Sequence, residues 1–315
     1  MQYRQRFTSN LSTQKIRSKF LVARFGKYPK CRRCSSDRIK KTHRNGFRCK
    51  KCWYEFKLTS GTFCERVRIP PRLWYEIAFC FALGLPALRA QKVLKVEEYR
   101  TVYRTYMTIR IALHRKSYEL FREKTKWKRG GYELDEAFFG GKFKNKRKRV
   151  KKDLYEQGLV KRGRGAVYLQ QPVLGMYKRN GVVFLELIPD TQKETIEPII
   201  VDRVVKGAKV YSDSWKGYDG LIIKGYVHKR VDHGRDQYVT YEKDEKVHVN
   251  GMEGFWGLSK SGMHRYKGIK KKNWKYYLKE FEFRYNYRDL EYEEITDKII
   301  EVLFTFYEKS RGDLT

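Results

Sequence analysis

The stretch "YELDEAFFGGK", residues 132–142, follows a run of basic residues and decides how the second half of the chain is read. It is a short apolar segment, predicted as a strand, that carries adjacent carboxylates at Asp135 and Glu136 and ends in a Gly-Gly pair. Acids and glycines are ordinary strand-ending turn chemistry. The alternative is one half of a metal site. Side chains alternate along a strand, so Asp135 and Glu136 face opposite sides and only one of them serves any given site. Which reading holds depends on what else the chain places near that strand.

The charge balance says what the partner is. Lys and Arg number 71 against 36 Asp and Glu, a formal net charge of +35 with a sequence pI of about 9.9. A compact chain with that charge repels itself unless a polyanion neutralises it. Nucleic acid is the first candidate and an anionic membrane surface the second. Hydrophobic residues make up 41% of the 315 positions, which argues against disorder. No run of about 18 apolar residues appears, so no spanning helix is expected. The basic N-terminus lacks the apolar core of a secretory signal. The expectation is a soluble, intracellular nucleic-acid-binding protein.

Four of the six cysteines fall as "CRRC" (Cys31, Cys34) and "CKKC" (Cys49, Cys52), with 14 residues between the pairs. Two CxxC knuckles at that spacing present four thiolates to one Zn²⁺. The segment has too few apolar residues to fold unaided, so the metal supplies its stability. The domain order follows: a basic arm with a short amphipathic helix over 1–25, a zinc ribbon over 26–66, a helical domain over 67–128 and an α/β domain over 129–315. In the helical domain, "PPRLWYEIAFCFALGL", "PALRAQKVLKV" and "EEYRTVYRTYMTIRIALHRK" read as three helices with a tight second connection, which fits a helix-turn-helix. Its third helix offers Arg100, Arg104 and Arg110 to DNA. The basic run over 142–164 is too polar to pack and reads as a loop or hairpin. Beyond it come two strands about the turn at Arg179–Gly181, a helix, a strand in "AKVYSDSW", a helix in "VNGMEGFWGLSK" and a final aromatic-rich helix in "NWKYYLKEFEFRYNYRDL": a mixed sheet with flanking helices.

Three acids take comparable places in this half. Asp135 sits at or near the end of the first strand, Asp213 at the end of the strand in "VYSDSW", and Glu253 in the first turn of a helix. Clustered carboxylates repel one another unless cations join them. Hard oxygen donors favour Mg²⁺ or Mn²⁺, two of which suit phosphoryl transfer. Lys260 lies two helical turns after Glu253 on the same face, placed to hold a substrate phosphate. Asp190 in "LIPD" is assigned to a turn, and Trp256 and Phe255 to packing.

These residues also carry a resemblance. "ELDEAFFGGK", "RGAVYLQQPVLGMYKRNG", "VYSDSWKGY", "HVNGMEGFWGLSK" and "YYLKEFEFRYNYR" resemble, in order, blocks of the ISXO-like DDE transposase domain of bacterial insertion sequences, allied to the Merlin elements. The ribbon and helices resemble the front end of the same proteins, so the likeness spans about residues 28–290. It implies an RNase H-like catalytic domain and cut-and-paste cleavage and strand transfer at terminal inverted repeats. It implies Asp135, Asp213 and Glu253 as the DDE triad holding two Mg²⁺ or Mn²⁺, and Lys260 as a DNA contact. Some members carry Asn or His in place of Glu, which makes Asn250 and His248 alternative third ligands. The implied partners are transposon-end and target DNA and further copies of the chain in a homodimer or larger synaptic assembly, with no membrane. The implied location is the bacterial cytoplasm, at the nucleoid, or the nucleus of a eukaryotic host. A DNA-binding regulator without chemistry and a zinc-ribbon nuclease without strand transfer are the competing readings.

Overall fold

The computed structural model describes residues 11–26, 28–42, 46–65, 67–125, 130–140, 147–156, 170–179, 181–213, 218, 220–231, 240–242, 245–247, 250–266 and 269–305. They form two compact units, one from residues 1–116 with 287–315 and the other from 117–286.

In the first unit, α1 (Thr13–Phe25) starts where Ser12 Oγ accepts the Lys15 N–H at 3.2 Å and stops at Gly26, whose φ of +67° ends the helix. Ile16 and Phe20, one turn apart, are its buried stripe. The antiparallel strands β1 (Ile39–Lys41), β2 (Phe47–Cys49) and β3 (Glu55–Phe56) make the small sheet expected of the cysteine segment. Phe47 stacks on Phe56 at 5.5 Å between ring centres, and Phe25 closes edge-on against Phe47 at 5.3 Å. The end of α1 therefore belongs to the ribbon's aromatic core and is more than an arm. Three helices follow: α2 (Pro71–Ala82), α3 (Ala87–Leu94) and α4 (Tyr99–Thr125), with proline in the first turn of α2 and left-handed Lys95 closing α3.

The last helix, α9 (Tyr292–Phe304), was not read from the sequence, and its stretch was expected to go with the α/β domain. It packs on α1 and α2 instead. A capping box of Glu291 and Glu294 starts it, Asp297 pairs with Lys19, and the Phe20 and Phe304 rings meet at 4.9 Å. Its apolar stripe of Ile295, Ile299, Val302 and Leu303 is buried.

The second unit is built on a five-stranded mixed sheet of order β6-β5-β4-β7-β8. The strands are β4 (Gly131–Phe139), β5 (Gln171–Lys178), β6 (Val183–Leu187), β7 (Lys209–Asp213) and β8 (Val227–Val231). β4, β5 and β6 pair antiparallel, while β7 and β8 run parallel to β4. Strand alternation sorts the core into two faces. Tyr132, Leu134, Leu174, Met176, Phe184 and Val210 join Phe121 of α4 and Ile196 and Ile200 of α6 (Lys193–Arg203). Ala137, Phe139, Val173, Val183 and Leu185 pack on Met252, Phe255 and Trp256 of α7 (Asn250–His264) and Leu278 of α8 (Trp274–Asn286). The open edge of β6 is covered by α8: Asn286 both accepts from Val183 N–H (2.7 Å) and donates to its carbonyl (2.8 Å), and Glu282 accepts from Leu185 N–H (2.7 Å).

The basic run differs from its expected loop. It contains α5 (Lys148–Glu156), with a Lys152–Glu156 pair one turn apart at 3.7 Å. Polarity keeps a segment out of the core but does not stop a sequence without Gly or Pro from winding into helix. A short hairpin of β9 (Thr240–Glu242) and β10 (Glu245–Val247) completes the unit.

Candidate catalytic and metal-binding sites

The parallel pairing of β4 and β7 matches Gly131 with Lys209, Tyr132 with Val210 and Glu133 with Tyr211. The pairing ends there, two residues short of Asp135 and of Asp213, and Asp135 lies in the middle of β4 rather than at the strand end expected of it, because the apolar residues Ala137 and Phe139 carry the strand on. Asp213 is the last residue of β7, and its side chain lies outside the described residues. On the other side Asp135 faces Gly175 of β5. The Asp135 carboxylate is half-buried on the α7 face and held by two donors. Oδ1 accepts the Glu136 N–H at 2.8 Å and Oδ2 accepts the Trp256 Nε1–H at 3.0 Å. Glu136 points to the opposite face, as expected, where it accepts from the Tyr218 hydroxyl.

Trp256 reaches Asp135 because Gly175 has no side chain. A Cβ there would lie 2.5 Å from Trp256 Cζ2 and 2.3 Å from Met252 Cε. The indole, expected only to pack, therefore does that and also orients the carboxylate.

A second contact went unread in the sequence. Glu133, two residues before Asp135 on the same face, is fully buried. Its Oε1 accepts from Arg179 Nε at 3.0 Å and its Oε2 from the Met252 N–H at 3.1 Å. A carboxylate at those first N–H groups suits the positive end of α7. Gly251 allows the approach, since a Cβ there would stand 2.9 Å from Glu133 Oε2 and 2.2 Å from Tyr177 Cε1. From Met252 to Trp256 is four helical residues, a rise of about 6 Å, close to the two-residue rise of a strand from Glu133 to Asp135. The two hydrogen bonds thus lay α7 alongside β4. The one signal for this in the sequence is the E-x-D alternation at 133 and 135.

Glu253 and Lys260 are exposed, whereas Met252, Phe255, Trp256 and Ser259 are buried. Glu253, Trp256 and Lys260 are spaced i, i+3, i+7, one stripe of the helix, so the acid and the lysine flank the indole that touches Asp135. Asn250 is the exposed first residue of α7, and His248 lies outside the described residues. Asp190 has the local role expected of it: it accepts from Gln192 N–H at 3.0 Å and from the Thr195 hydroxyl at 2.7 Å, at the start of α6.

The ligand atoms of Cys31, Cys34, Cys49 and Cys52 all lie within 4.8 Å of one another. The Cys31–Cys52 and Cys34–Cys49 Sγ separations are 3.5 Å. Four sulfurs at the usual Zn–S length of about 2.3 Å stand about 3.8 Å apart on a tetrahedron, so the cluster fits one Zn²⁺ with little adjustment. Backbone N–H groups of Arg33 and Lys51 already point at Cys31 and Cys49 Sγ, at 3.4 and 3.3 Å. Burial opposes ionisation of Cys49, while the N–H groups of Cys52 and Lys51 and the neighbouring Cys34 and Cys31 thiols together lower it; within the same cluster Cys34 is raised, so the thiols share their protons unequally. Among the described residues this is the group close enough to hold a metal.

On α4, Arg100 and Arg104 are exposed one turn apart, as a DNA-facing surface requires. Arg110 is not available in that way. It is 1% exposed, with its guanidinium 5.7 Å from the Phe81 ring centre and 5.5 Å from that of Tyr106. The aromatic rings of α2 and α4 take up the planar cation, so it serves packing.

Residues 129–286 match the model of the ISXO2-like transposase domain. Over 104 residues, 33% of this chain and 80% of the relative, the chain is 32% identical to an uncharacterized transposase-like protein of Haemophilus influenzae. Over 239 residues, 75% of this chain and 76% of the relative, it is 24% identical to an uncharacterized protein in transposable element ISH50 of Halobacterium salinarum. No solved structure matches. Among the described residues, no helix is long and apolar enough to cross a membrane.

Proposed function

Since the chain belongs to the ISXO2-like transposase family, we propose that it binds the terminal inverted repeats of a mobile element and catalyses metal-dependent cleavage and strand transfer there. The observation that supports this reading is the parallel pairing of β4 with β7, the two strands that carry Asp135 and Asp213. The strand order β6-β5-β4-β7-β8, with three antiparallel strands followed by two parallel ones, supports an RNase H-like catalytic domain.

In this proposal Asp135, Asp213 and Glu253 hold two Mg²⁺ or Mn²⁺ ions, for which hard carboxylate oxygens are the fitting donors. When bound, such ions activate a hydroxyl nucleophile and stabilise the leaving oxygen of a phosphodiester. Trp256 and the Glu136 N–H fix the Asp135 oxygens, so the carboxylate needs little reorganisation. Glu133 anchors the start of α7 and so sets where Glu253 and Lys260 stand. Lys260, on the stripe of Glu253, holds a substrate phosphate. α2, α3 and α4 act as a helix-turn-helix whose exposed Arg100 and Arg104 contact the DNA, and the zinc-bound ribbon lies ahead of it in the chain. Two element ends require two sites, hence a homodimer or larger synaptic assembly. The place of action is wherever DNA is held: the bacterial cytoplasm, or the nucleus in a eukaryotic host.

The test is to incubate the protein with DNA carrying the element's flanking ends and Mg²⁺ or Mn²⁺, and to score binding, cutting and joining. Glu253→Gln is expected to bind ends as wild type does and to cut nothing. Cutting by that variant would remove Glu253 from the triad. Wild-type binding without any metal-dependent cutting would favour a regulator over an enzyme.

A further inference from the structure

Beside the cysteine cluster opens a cleft of about 680 Å³ whose walls carry Arg24, Lys30, Arg32, Arg33 and Tyr54. Two of these cations are seated by one turn. Arg24 donates from Nη2 to the Ser60 carbonyl at 2.8 Å and from Nη1 to the Phe304 carbonyl at 3.2 Å. The Arg32 guanidinium lies over the next residue, Gly61, where a Cβ would come within 1.9 Å of Nη1 and where φ is +65°. The turn thus holds two like charges close together. Burial, and then the charge of Arg32, lowers Arg24 from the ordinary arginine value, with Glu65 opposing. Lys30 and Arg33 are exposed at the rim. Tyr54 is a fixed wall, stacked on Phe56 at 5.9 Å and 17°.

Four cations gathered in one concavity, with Glu65 the acid acting on Arg24, focus a positive potential that calls for an anion. Guanidinium forks match phosphate oxygens. Cations of this kind meet phosphate oxygens, so what the cleft reads is backbone rather than base edges. We propose that this cleft is a DNA contact separate from α4, seating a stretch of phosphodiester backbone of the duplex irrespective of its sequence. The inference rests on the transposase reading and adds to it a role for the ribbon, as a grip.

The test uses the full-length, zinc-loaded protein and its Lys30→Ala, Arg33→Ala and double variants; both residues are exposed, and neither is a zinc ligand. Binding to short labelled duplexes, one an element end and one unrelated, is measured by anisotropy between about 50 and 200 mM salt. Zinc content and thermal unfolding serve as controls for folding. Each substitution is expected to reduce the steepness of log K against log salt by about 1, and to weaken both duplexes alike. An unchanged slope in the double variant, while wild type binds, overturns this inference alone. Wild type that binds neither DNA takes down the transposase reading and the cleft together.

Discussion

Replacing Gly175 by Ala puts a single methyl between the sheet and α7, and the structure says which neighbour must yield. The new Cβ would stand 2.3 Å from Met252 Cε, 2.9 Å from Met252 Sδ and 2.5 Å from Trp256 Cζ2, where carbon contacts prefer about 3.5–4 Å. Met252 can swing its terminal methyl aside at little cost. Trp256 cannot: its ring is wedged against Phe139 at 5.8 Å and Phe255 at 5.5 Å, and its Nε1 is bonded to Asp135. Clearing the methyl takes a ring shift of about 1 Å, enough to stretch the 3.0 Å hydrogen bond out of range. Overpacking of this kind costs about 1–3 kcal/mol, against about 0.5–1 kcal/mol gained by replacing glycine in a strand. A net loss of about 1–2 kcal/mol lowers the midpoint of thermal unfolding by about 2–8 °C for a unit of this size. Losing a donor to an ionised carboxylate, worth about 1.5–3 kcal/mol, slows metal-dependent cleavage by roughly 10- to 100-fold. The assay is a double-mutant cycle with Trp256→Phe, read by thermal unfolding and by cleavage of end DNA. Trp256→Phe removes both the donor and the clashing ring edge, so Gly175→Ala should cost much less in that background. Simple additivity of the two stability losses, or a Gly175→Ala protein as stable and active as wild type, would refute the reasoning.

Two further outcomes follow from buried groups. Glu282 is pushed up to about 7 by burial, with Lys279 opposing, so its folded value exceeds the ordinary 4.5. The folded state therefore keeps a proton that the unfolded chain has lost, and this share of stability is intact below pH 4.5 and is lost as the pH rises toward about 7. In Glu282→Gln the fall in stability across that window should be shallower, as measured by urea unfolding at a series of pH values; an identical slope in both proteins would refute it. Stripping Zn²⁺ with a strong chelator, or replacing Cys49 by Ser, should abolish the β1–β3 sheet and leave the second unit folded, since the metal is expected to supply the ribbon's stability. Amide exchange resolved by segment distinguishes the two, and a ribbon still protected without zinc would contradict that account.

The cysteine cluster is legible because its spacing is local in sequence. Two CxxC knuckles name a four-thiolate metal site whatever the surroundings, and the structure gathers those four sulfurs. Asp135 could be singled out because strand alternation separates it from Glu136, and Glu253 and Lys260 because helical phase puts them on one face. Arg110 was misplaced because helical spacing alone does not reveal whether a cation meets water or a pair of aromatic rings. The helix inside the basic run is not legible from its polarity, because polarity speaks to burial and not to backbone conformation. Helix α9 lies in the stretch assigned to the α/β domain, yet its apolar stripe packs in the first unit, because a stripe alone does not say which core it joins.

Composition, spacing and period by themselves determined that this chain is strongly basic, with paired CxxC knuckles and a mixed α/β domain carrying separated acids. Those features are written residue by residue, in charge and in the 2.0 and 3.6 periods of strand and helix. The tertiary structure decided what meets across the chain: that Glu133 receives the first turn of α7, that Trp256 grips Asp135 over the bare backbone of Gly175, and that Ser60 and Gly61 seat two arginines beside the four-cysteine cluster. The physical reason is that a hydrogen bond or a close approach needs two partners in register, and register between distant segments is set by packing rather than by either segment alone.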